Sequence, residues 1–173
     1  AQNLKTDSIF SWGTIGWEFP ADMVSDTEGN FNLCGRLSGE MPVGGTLLKS
    51  NGKRDIFLVK FNRQNQLLWA RNFGGPADDN AYSLLTVNNE IYLSGTFRES
   101  ISFGDETIKL IGKGTNDLFL ARLSPEGSPV WLKGLFTNAP AGKVFLQADV
   151  TGNIWMAGDY SKQIELENYL LGQ

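Results

Sequence analysis

The sequence predicts an all-β fold, a β-propeller-type repeat built from four-stranded antiparallel blades. Three observations predict it. The stretch "DIFLVKFNRQNQLLW" (55–69) returns as "DLFLARLSPEGSPVW" (117–131), and each copy has a Trp fourteen residues after its Asp. The 173 residues include 20 Gly, which lie at turn-like positions between short apolar runs. No segment has the periodicity of an amphipathic helix.

Three glycines mark a second repeated feature. Gly35, Gly95 and Gly158 follow the apolar runs "NFNLC", "EIYLS" and "NIWMA", and they are spaced 60 and 63 residues apart. We expect each glycine to close a strand. A turn precedes each run, and a further apolar strand precedes each turn. These further strands are expected to be equivalent inner strands over 21–26, 80–86 and 143–149.

The Asp-led strand "DIFLVKF" is apolar on both faces. Phe57 and Val59 alternate along it with Ile56 and Leu58, so both faces are expected to be covered. Small sheets stacked face to face are the blades of a propeller. A variable hairpin precedes this strand in each unit and the Trp-containing strand follows it, which gives four principal strands.

Repeated polar and aromatic residues have structural interpretations in such a blade. Asp55 and Asp117 are expected to cap turns through backbone N–H groups. Trp69 and Trp131 are expected to fill the space between neighbouring blades, because large amphipathic rings suit that position.

The units span about 12–68, 69–130 and 131–173, in one region of about two and two-thirds blades, an incomplete ring. A closed ring takes about 4–8 blades. The third unit stops about seven residues before its Asp-led strand is expected. We therefore expect 1–173 to be part of a longer chain.

Composition argues against several classes of function. The net charge is −4 without a basic stripe, so nucleic acid is not an expected partner. The absence of His removes Ser-His-Asp and Cys-His catalysis and zinc sites that need imidazole. Cys34 is the only cysteine and lies in an apolar run, so a buried thiol is expected. No cofactor and no transmembrane segment are expected.

The first residues, "AQNLKTDS", place a small residue before a polar stretch. Signal peptidase leaves this pattern when it cleaves behind an A-x-A-like site. We therefore expect an exported protein, with a shortened chain as the alternative explanation of this start.

The repeated motifs also resemble a known family. The order "GN-aromatic-x-x-G", "D-x-F-L-x-K/R", a Trp after an apolar residue, and "FGG" (73–75) before "DDNA" is similar to the bacterial β-propeller repeats called SBBP. The resemblance covers about 12–171. It implies an exported bacterial protein that is extracellular or at the cell surface, outer-membrane-associated, with the periplasm as the alternative. Such proteins serve as scaffolds or in adhesion. The entry loops "GWEFPAD" and "TNAPAGK" depart from the pattern.

The acidic loop "GGPADDNA" (74–81) is the most site-like stretch. It carries Asp78, Asp79 and Asn80 at the entry to an inner strand, where a propeller mouth is expected. The alternative is a turn whose carboxylates cap backbone N–H groups.

The loops "DTEGN" (26–30) and "DVTGN" (149–153) faintly resemble a calcium loop. They are too short, and no bidentate Glu follows them. We expect β-turns with a positive φ at each Gly, and no metal.

Two further tryptophans differ in their interpretation. Trp17 and Glu18 lie in an insertion without counterpart in the other units, and are candidates for a sugar-stacking platform or for a structural contact near the chain start. Trp155 replaces Phe31 and Tyr92 of the other units, so it is expected in the core.

The resulting hypothesis is a non-enzymatic exported module for protein–protein or cell-surface interaction. Its partners would be other protein chains or the remainder of a longer chain. The alternative is a glycan-binding module of a surface carbohydrate-processing system. A carbohydrate-active enzyme is less favoured, with Asp78 and either Glu18 or Asp22 as paired carboxylates.

Overall fold

The computed structural model describes residues 17–112, 116–137, 141–160 and 164–166. Within these ranges the chain forms fifteen β-strands joined by turns. No helix in this part of the chain is long and apolar enough to cross a membrane. The all-β prediction is confirmed.

The first sheet has four antiparallel strands in the order β1-β2-β5-β6, and a separate hairpin, β3-β4, lies between β2 and β5 in the chain. This is the predicted unit of four principal strands and one variable hairpin. The strands are β1 (Trp17–Ser25), β2 (Phe31–Ser38), β3 (Glu40–Val43), β4 (Thr46–Lys49), β5 (Asp55–Phe61) and β6 (Leu67–Phe73).

The second sheet repeats this arrangement, with β7, β8, β11 and β12 in order and a β9-β10 hairpin between β8 and β11 in the chain. The sequence-unit boundaries at 68/69 and 130/131 fall inside β6 and β12. Each of these Trp-containing strands pairs with the Asp-led strand before it and so belongs to the sheet of the preceding unit. The strands are β7 (Asn80–Val87), β8 (Glu90–Phe97), β9 (Ser100–Phe103), β10 (Asp105–Ile111), β11 (Asp117–Leu123) and β12 (Pro129–Thr137).

The third unit contributes the antiparallel pair β13 (Ala141–Ala148) and β14 (Ile154–Tyr160), and also β15 (Ile164–Leu166). We expected each sheet to draw on one unit. That is wrong at β15, which pairs with β12 and extends the second sheet. The β9-β10 hairpin behaves similarly, since Ser102 of β9 bridges to Gly74, directly after β6. In both places, strands of one unit cover the outer edge of the sheet before it.

The three predicted inner strands are found as β1, β7 and β13, to within one residue at their C-terminal ends. They are joined from sheet to sheet by side-chain-to-backbone hydrogen bonds. The backbone N–H of Leu84 donates to Asp22 Oδ2 over 2.8 Å. The backbone N–H of Leu146 donates to Ser83 Oγ over 3.0 Å. The inner strands of three successive units thus lie side by side, as in a propeller.

The two faces of the Asp-led strand β5 belong to different parts of the core, and all its residues are buried. Phe57 and Val59 pack with the β3-β4 hairpin. Ile56 and Leu58 pack with β8 and β11 of the second sheet. The predicted burial on both faces is confirmed.

The repeated glycines do not close their strands, contrary to our expectation. Gly35, Gly95 and Gly158 lie inside β2, β8 and β14, which continue to Ser38, Phe97 and Tyr160. Each glycine faces the region of its inner strand where the pairing register shifts at a bulge. The reason for glycine is therefore the close approach of another backbone, and not strand termination.

Close approach is most severe at Gly35 and Gly95. A Cβ on Gly35 would lie 2.2 Å from the carbonyl oxygen of Phe19, and one on Gly95 would lie 1.9 Å from that of Asn80. Each Cβ would also meet the ring of a phenylalanine on the Asp-led strand. Any side chain at these positions would push the inner strand away.

Asp55 and Trp69 of the first repeat take the predicted roles. Asp55 is fully buried, and its Oδ2 accepts the N–H of Asn51 over 2.9 Å, which confirms a turn cap. Trp69 donates from Nε1 to the carbonyl oxygen of Pro125, over 3.1 Å, in the turn between β11 and β12. It therefore lies between the first and second sheets. Asp117 is also fully buried.

The remaining tryptophans of the described sheets have other surroundings. Trp131 is half-buried and packs edge-on against Tyr92 of its own sheet, with ring centroids 6.1 Å apart. Trp155 was expected in the core, and this is wrong, because it is 64% exposed. Its strand, β14, pairs only with β13 within the described residues, so no further strand flanks the ring. Its Nε1 donates to Asp149 over 3.2 Å.

Candidate functional site

The acidic loop at 74–81 runs from the end of the first sheet to the start of the second. Asp79 is fully buried there. Its carboxylate accepts the N–H of Gly75 over 2.7 Å and the N–H of Arg98 over 3.4 Å. These are the backbone contacts that the turn interpretation predicts.

Asp78 has a different role from its neighbour. Its carboxylate receives Arg54 Nε over 2.7 Å and lies 3.9 Å from Arg98 Nη1. The side chain is mostly buried, whereas both arginines are about half-exposed in their side chains. Asp78 thus links the turn before β5 to the loop after β8.

The carboxyl groups of this region differ in the direction in which their pKa is shifted. Burial raises the pKa of Asp79 to about 7, and the negative charges of Asp55 and Asp78 add to the rise. Burial also raises the pKa of Asp55. The hydrogen bond from Arg54 lowers the pKa of Asp78. A raised carboxyl pKa is also a property of catalytic acids, but both oxygens of Asp79 hold backbone N–H groups here.

An open cavity of about 340 Å³ lies at the start of the inner strands, and of Asp78, Asp79 and Asn80 only Asn80 lines it. Its Oδ1 accepts a hydrogen bond from Arg36 Nη1 over 2.9 Å. The Arg36 guanidinium lies over the ring of Phe19, 4.6 Å from its centroid. Arg36 is therefore held by one amide and one ring, both neutral.

Residues from three units line this cavity, which we call the mouth cavity. Lining residues on β1, β2, β7 and β13 are Phe19, Arg36, Asn80, Tyr82, Lys143 and Phe145. Phe145 is 61% exposed and Phe19 is 42% exposed. Large exposed rings beside cations form a surface suited to contact with another molecule.

Strand register explains how these side chains come together. The bulges in β1 and β7 lie opposite Gly35 and Gly95, near the start of each strand. Phe145 occupies the position in β13 that Asp22 and Ser83 occupy in β1 and β7. Where the other units place a hydrogen-bonding side chain, the third unit presents an aromatic ring.

The "DTEGN" turn is closed by its own aspartate. Asp26 Oδ1 accepts the N–H of Glu28 over 3.0 Å and the N–H of Asn30 over 2.9 Å. Gly29 has a φ of +77°, as predicted. Asp26 also pairs with the buried Lys60, over 3.0 Å.

The "DVTGN" turn has the same construction. Asp149 Oδ1 accepts the N–H groups of Thr151 and Asn153 over 2.9 and 3.0 Å, and Gly152 has a φ of +87°. The β-turn interpretation is confirmed for both loops. In the described part of the chain, no group of three or more His, Cys, Asp or Glu side chains is placed to hold a metal ion.

The other predicted site residues are dispersed. Trp17 is the first residue of β1, and its side chain lies outside the described residues. Glu18 is half-buried on β1, beside Phe19 of the mouth cavity. Of the carboxylates considered for catalysis, Asp22 accepts the N–H of Leu84 and Asp78 is ion-paired.

Sequence reasoning did not single out Arg36, Lys143 or Phe145. Arg36 directly follows the repeated Gly35, and Lys143 and Phe145 lie in the predicted third inner strand. The sequence could have indicated them only by their positions, because all three fall near the starts of the inner strands when the repeats are aligned. Their convergence depends on the bulge register, which the repeat spacing does not contain.

Comparison with known proteins supports the fold and no specific function. No protein-family model matches the chain. Over 128 residues the chain is 23% identical to an uncharacterized WD repeat-containing protein of Acanthamoeba polyphaga mimivirus. The match covers 67% of this chain and 9% of that protein, so it spans a small part of the relative's length. The two repeated four-stranded sheets and this distant match agree on a propeller-type repeat.

Proposed function

We propose that this propeller-type repeat module is non-enzymatic and serves as a scaffold that binds other protein chains through the mouth cavity. The observation that carries the proposal is the cavity itself. Three units supply its walls, and the exposed rings of Phe19 and Phe145 stand beside Arg36 and Lys143. Propellers present such surfaces without needing a catalytic group.

A second observation supports binding over catalysis. The carboxylates with raised pKa, Asp55 and Asp79, accept backbone N–H groups of their own and neighbouring loops. Neither lines the mouth cavity. The groups that do line it carry cationic, amide and aromatic character, which suits recognition.

The experiment compares two variants, each of which replaces one exposed apolar side chain by Ser. Phe145→Ser alters the mouth cavity, and Leu47→Ser alters an equally exposed residue (57% against 61%) on the β3-β4 hairpin. Partners captured from the source organism are identified, purified and titrated against wild type and both variants. We expect Phe145→Ser alone to weaken binding about tenfold or more. Equal binding by both variants would contradict the proposed surface.

A second candidate function is glycan binding, favoured by a smaller cavity of about 240 Å³ at the opposite ends of the inner strands. Trp69 lines it together with the polar side chains of Glu28, Asn89 and Glu126. Aromatic rings beside carboxylates and amides are suited to sugars. A glycan array with wild type and Glu126→Ala tests this candidate, which requires binding that the substitution removes.

Export to a bacterial cell surface and a role in adhesion belong to the same proposal. Their support is the resemblance of the repeated motifs to the SBBP repeats. Fractionation of the source cells, with surface proteolysis of intact cells, is the test. Recovery of the protein only in the cytoplasmic fraction would contradict export.

A further inference from the structure

The mouth cavity contains an imbalance of charge in an acidic chain. The net charge is −4, yet the charged side chains lining this cavity are Arg36 and Lys143. Neither has an ion-pair partner among the described residues. By contrast, Arg54, Lys60 and Arg122 each pair with a carboxylate.

The two cations differ in how they are held. Arg36 is positioned by Phe19 and by Asn80, whose amide oxygen accepts its hydrogen bond without neutralising its charge. Lys143 is exposed and lies near the start of β13, the third inner strand. The Arg36 guanidinium, held by neutral groups, and the exposed Lys143 ammonium in one cavity favour a negatively charged ligand, because neither is paired with a carboxylate in the described part of the chain.

Apolar surface flanks this charge. Phe145 and Phe19 are the large exposed rings of the cavity, and Tyr82 lines it between them in the order of the inner strands. A phosphate or a free carboxylate would use the cations and leave the rings in water. A ligand that uses both must carry acidic and apolar groups close together.

We infer that the mouth cavity binds a linear segment of another protein in which Asp or Glu alternates with aromatic or aliphatic residues. The acidic side chains lie against Arg36 and Lys143, and the apolar ones lie against Phe19 and Phe145. An extended segment suits the site, because its successive side chains bring acidic and apolar groups close together along one backbone, as the cations and rings are close together here. The inference rests on the proposed protein-binding function and specifies the partner.

The test is selection of random twelve-residue peptides displayed on phage against the wild-type protein. No counter-selection is applied, so the Lys143→Gln/Phe145→Ser double variant, called the mouth variant, remains an independent test of each selected peptide. We expect the selected peptides to be enriched in Asp or Glu next to Phe, Trp, Tyr or Leu. The matched control is Lys49→Gln/Leu47→Ser, which removes one exposed cation and one exposed apolar group from the β3-β4 hairpin.

One selected peptide is then synthesised with a fluorophore and titrated by anisotropy. We expect the mouth variant to weaken its binding at least tenfold and the hairpin variant to leave it unchanged. Replacement of the acidic residues of the peptide by Gln or Asn should weaken binding at least tenfold, and raising the salt concentration should weaken it further.

The outcomes separate this inference from the proposed function. Selected peptides that are basic, or that bind the mouth variant equally well, overturn the inference and leave a protein-binding module. Failure to select any peptide, with binding to polygalacturonate that the mouth variant loses, overturns both and assigns the cavity to an acidic glycan. Folding of each variant is checked by thermal unfolding, and both substituted residues are exposed.

Discussion

Asp22 and Ser83 occupy the same register position in consecutive inner strands, and Ser83 joins them by donating to Asp22 Oδ2 over 3.4 Å. Each also accepts a backbone N–H from the next inner strand, that of Leu84 or Leu146. A chain of hydrogen bonds thus crosses three inner strands that are not paired in one sheet. It fixes the spacing on which the mouth cavity depends.

Removing the Asp22 carboxylate, the first acceptor in this series of hydrogen bonds, should weaken the contact between the first two sheets. We expect Asp22→Ala to lower the free energy of unfolding by about 1–3 kcal/mol, because a backbone N–H in a sheet contact loses its partner. Asp22→Asn keeps an acceptor oxygen and should cost less. Chemical denaturation of the three proteins measures the difference. Equal loss in both variants would show that the charge matters and the acceptor does not.

The repeated glycines should differ in their tolerance of a methyl group. Gly95→Ala and Gly35→Ala place Cβ 1.9 and 2.2 Å from a backbone oxygen, and backbone cannot move aside cheaply. We expect each to destabilise the fold by about 2–3 kcal/mol or more.

Gly158 provides the matched comparison. Its Cβ would lie 2.6 Å from a methyl group of Val144 and 2.8 Å from the carbonyl oxygen of Lys143, which is farther than the backbone oxygens at Gly35 and Gly95 and lies in a two-stranded pair. We expect Gly158→Ala to cost less than either of the other substitutions. Denaturant midpoints of the three variants give the order, and a larger loss at Gly158 would contradict the close-approach argument.

Stability should fall as the pH rises from about 4 to about 7, because of Asp79. Its pKa is about 7 in the folded protein and 3.8 as an ordinary carboxyl group. Between these values the folded state binds more protons than the unfolded state, so raising the pH favours unfolding. The raised pKa of Asp55 acts in the same direction.

Asp79→Asn should therefore flatten the dependence of melting temperature on pH in this window. The control is Asp78→Asn, since the pKa of Asp78 is lowered and its contribution is lost only as the pH falls through the acidic range. Its slope between pH 4 and 7 should stay close to that of wild type and only slightly shallower, because the charge of Asp78 makes a small contribution to the raised pKa of Asp79. A steep slope that persists in Asp79→Asn would contradict the assignment.

Much of the fold could be predicted because each blade repeats the same pattern of buried strands and turns. The two-sided burial of β5 follows from its composition, and the capping role of Asp55 follows from its place after a turn. The expectation that Gly35 and Gly95 end their strands was wrong. Sequence indicates that glycine is required there, but only coordinates show that a bulged backbone approaches it.

The candidate site was harder to predict because it belongs to no single unit. Asp78 and Asp79 looked site-like by density of charge, and the structure engages them in loop contacts. Lys143 and Phe145 looked like ordinary strand residues. They become part of a cavity through the register of β13 against β7, a long-range relationship that repeat spacing does not specify.

Cys34 should report the opening of the contact between the first two sheets. It is fully buried on β2 in the core cluster shared with β8 and β11, and burial raises its pKa from 9.0 to about 12. The thiolate is the reactive form, so at pH 8 the rise alone should slow reaction with a thiol reagent about a thousandfold relative to the unfolded chain.

Labelling of Cys34 by 5,5′-dithiobis(2-nitrobenzoate) at pH 8 should therefore be slow in the native protein and complete within seconds to minutes in denaturant. Because labelling requires transient opening, its native rate should rise in Asp22→Ala, which weakens the inner-strand contact beside this interface. Trp155→Ala is the control, since that ring is exposed on β14 and should leave the rate unchanged. Absorbance at 412 nm follows the reaction. Fast labelling of the native wild-type protein would contradict a closed contact, and an unchanged rate in Asp22→Ala would show that the hydrogen bond to Leu84 does not hold the two sheets together.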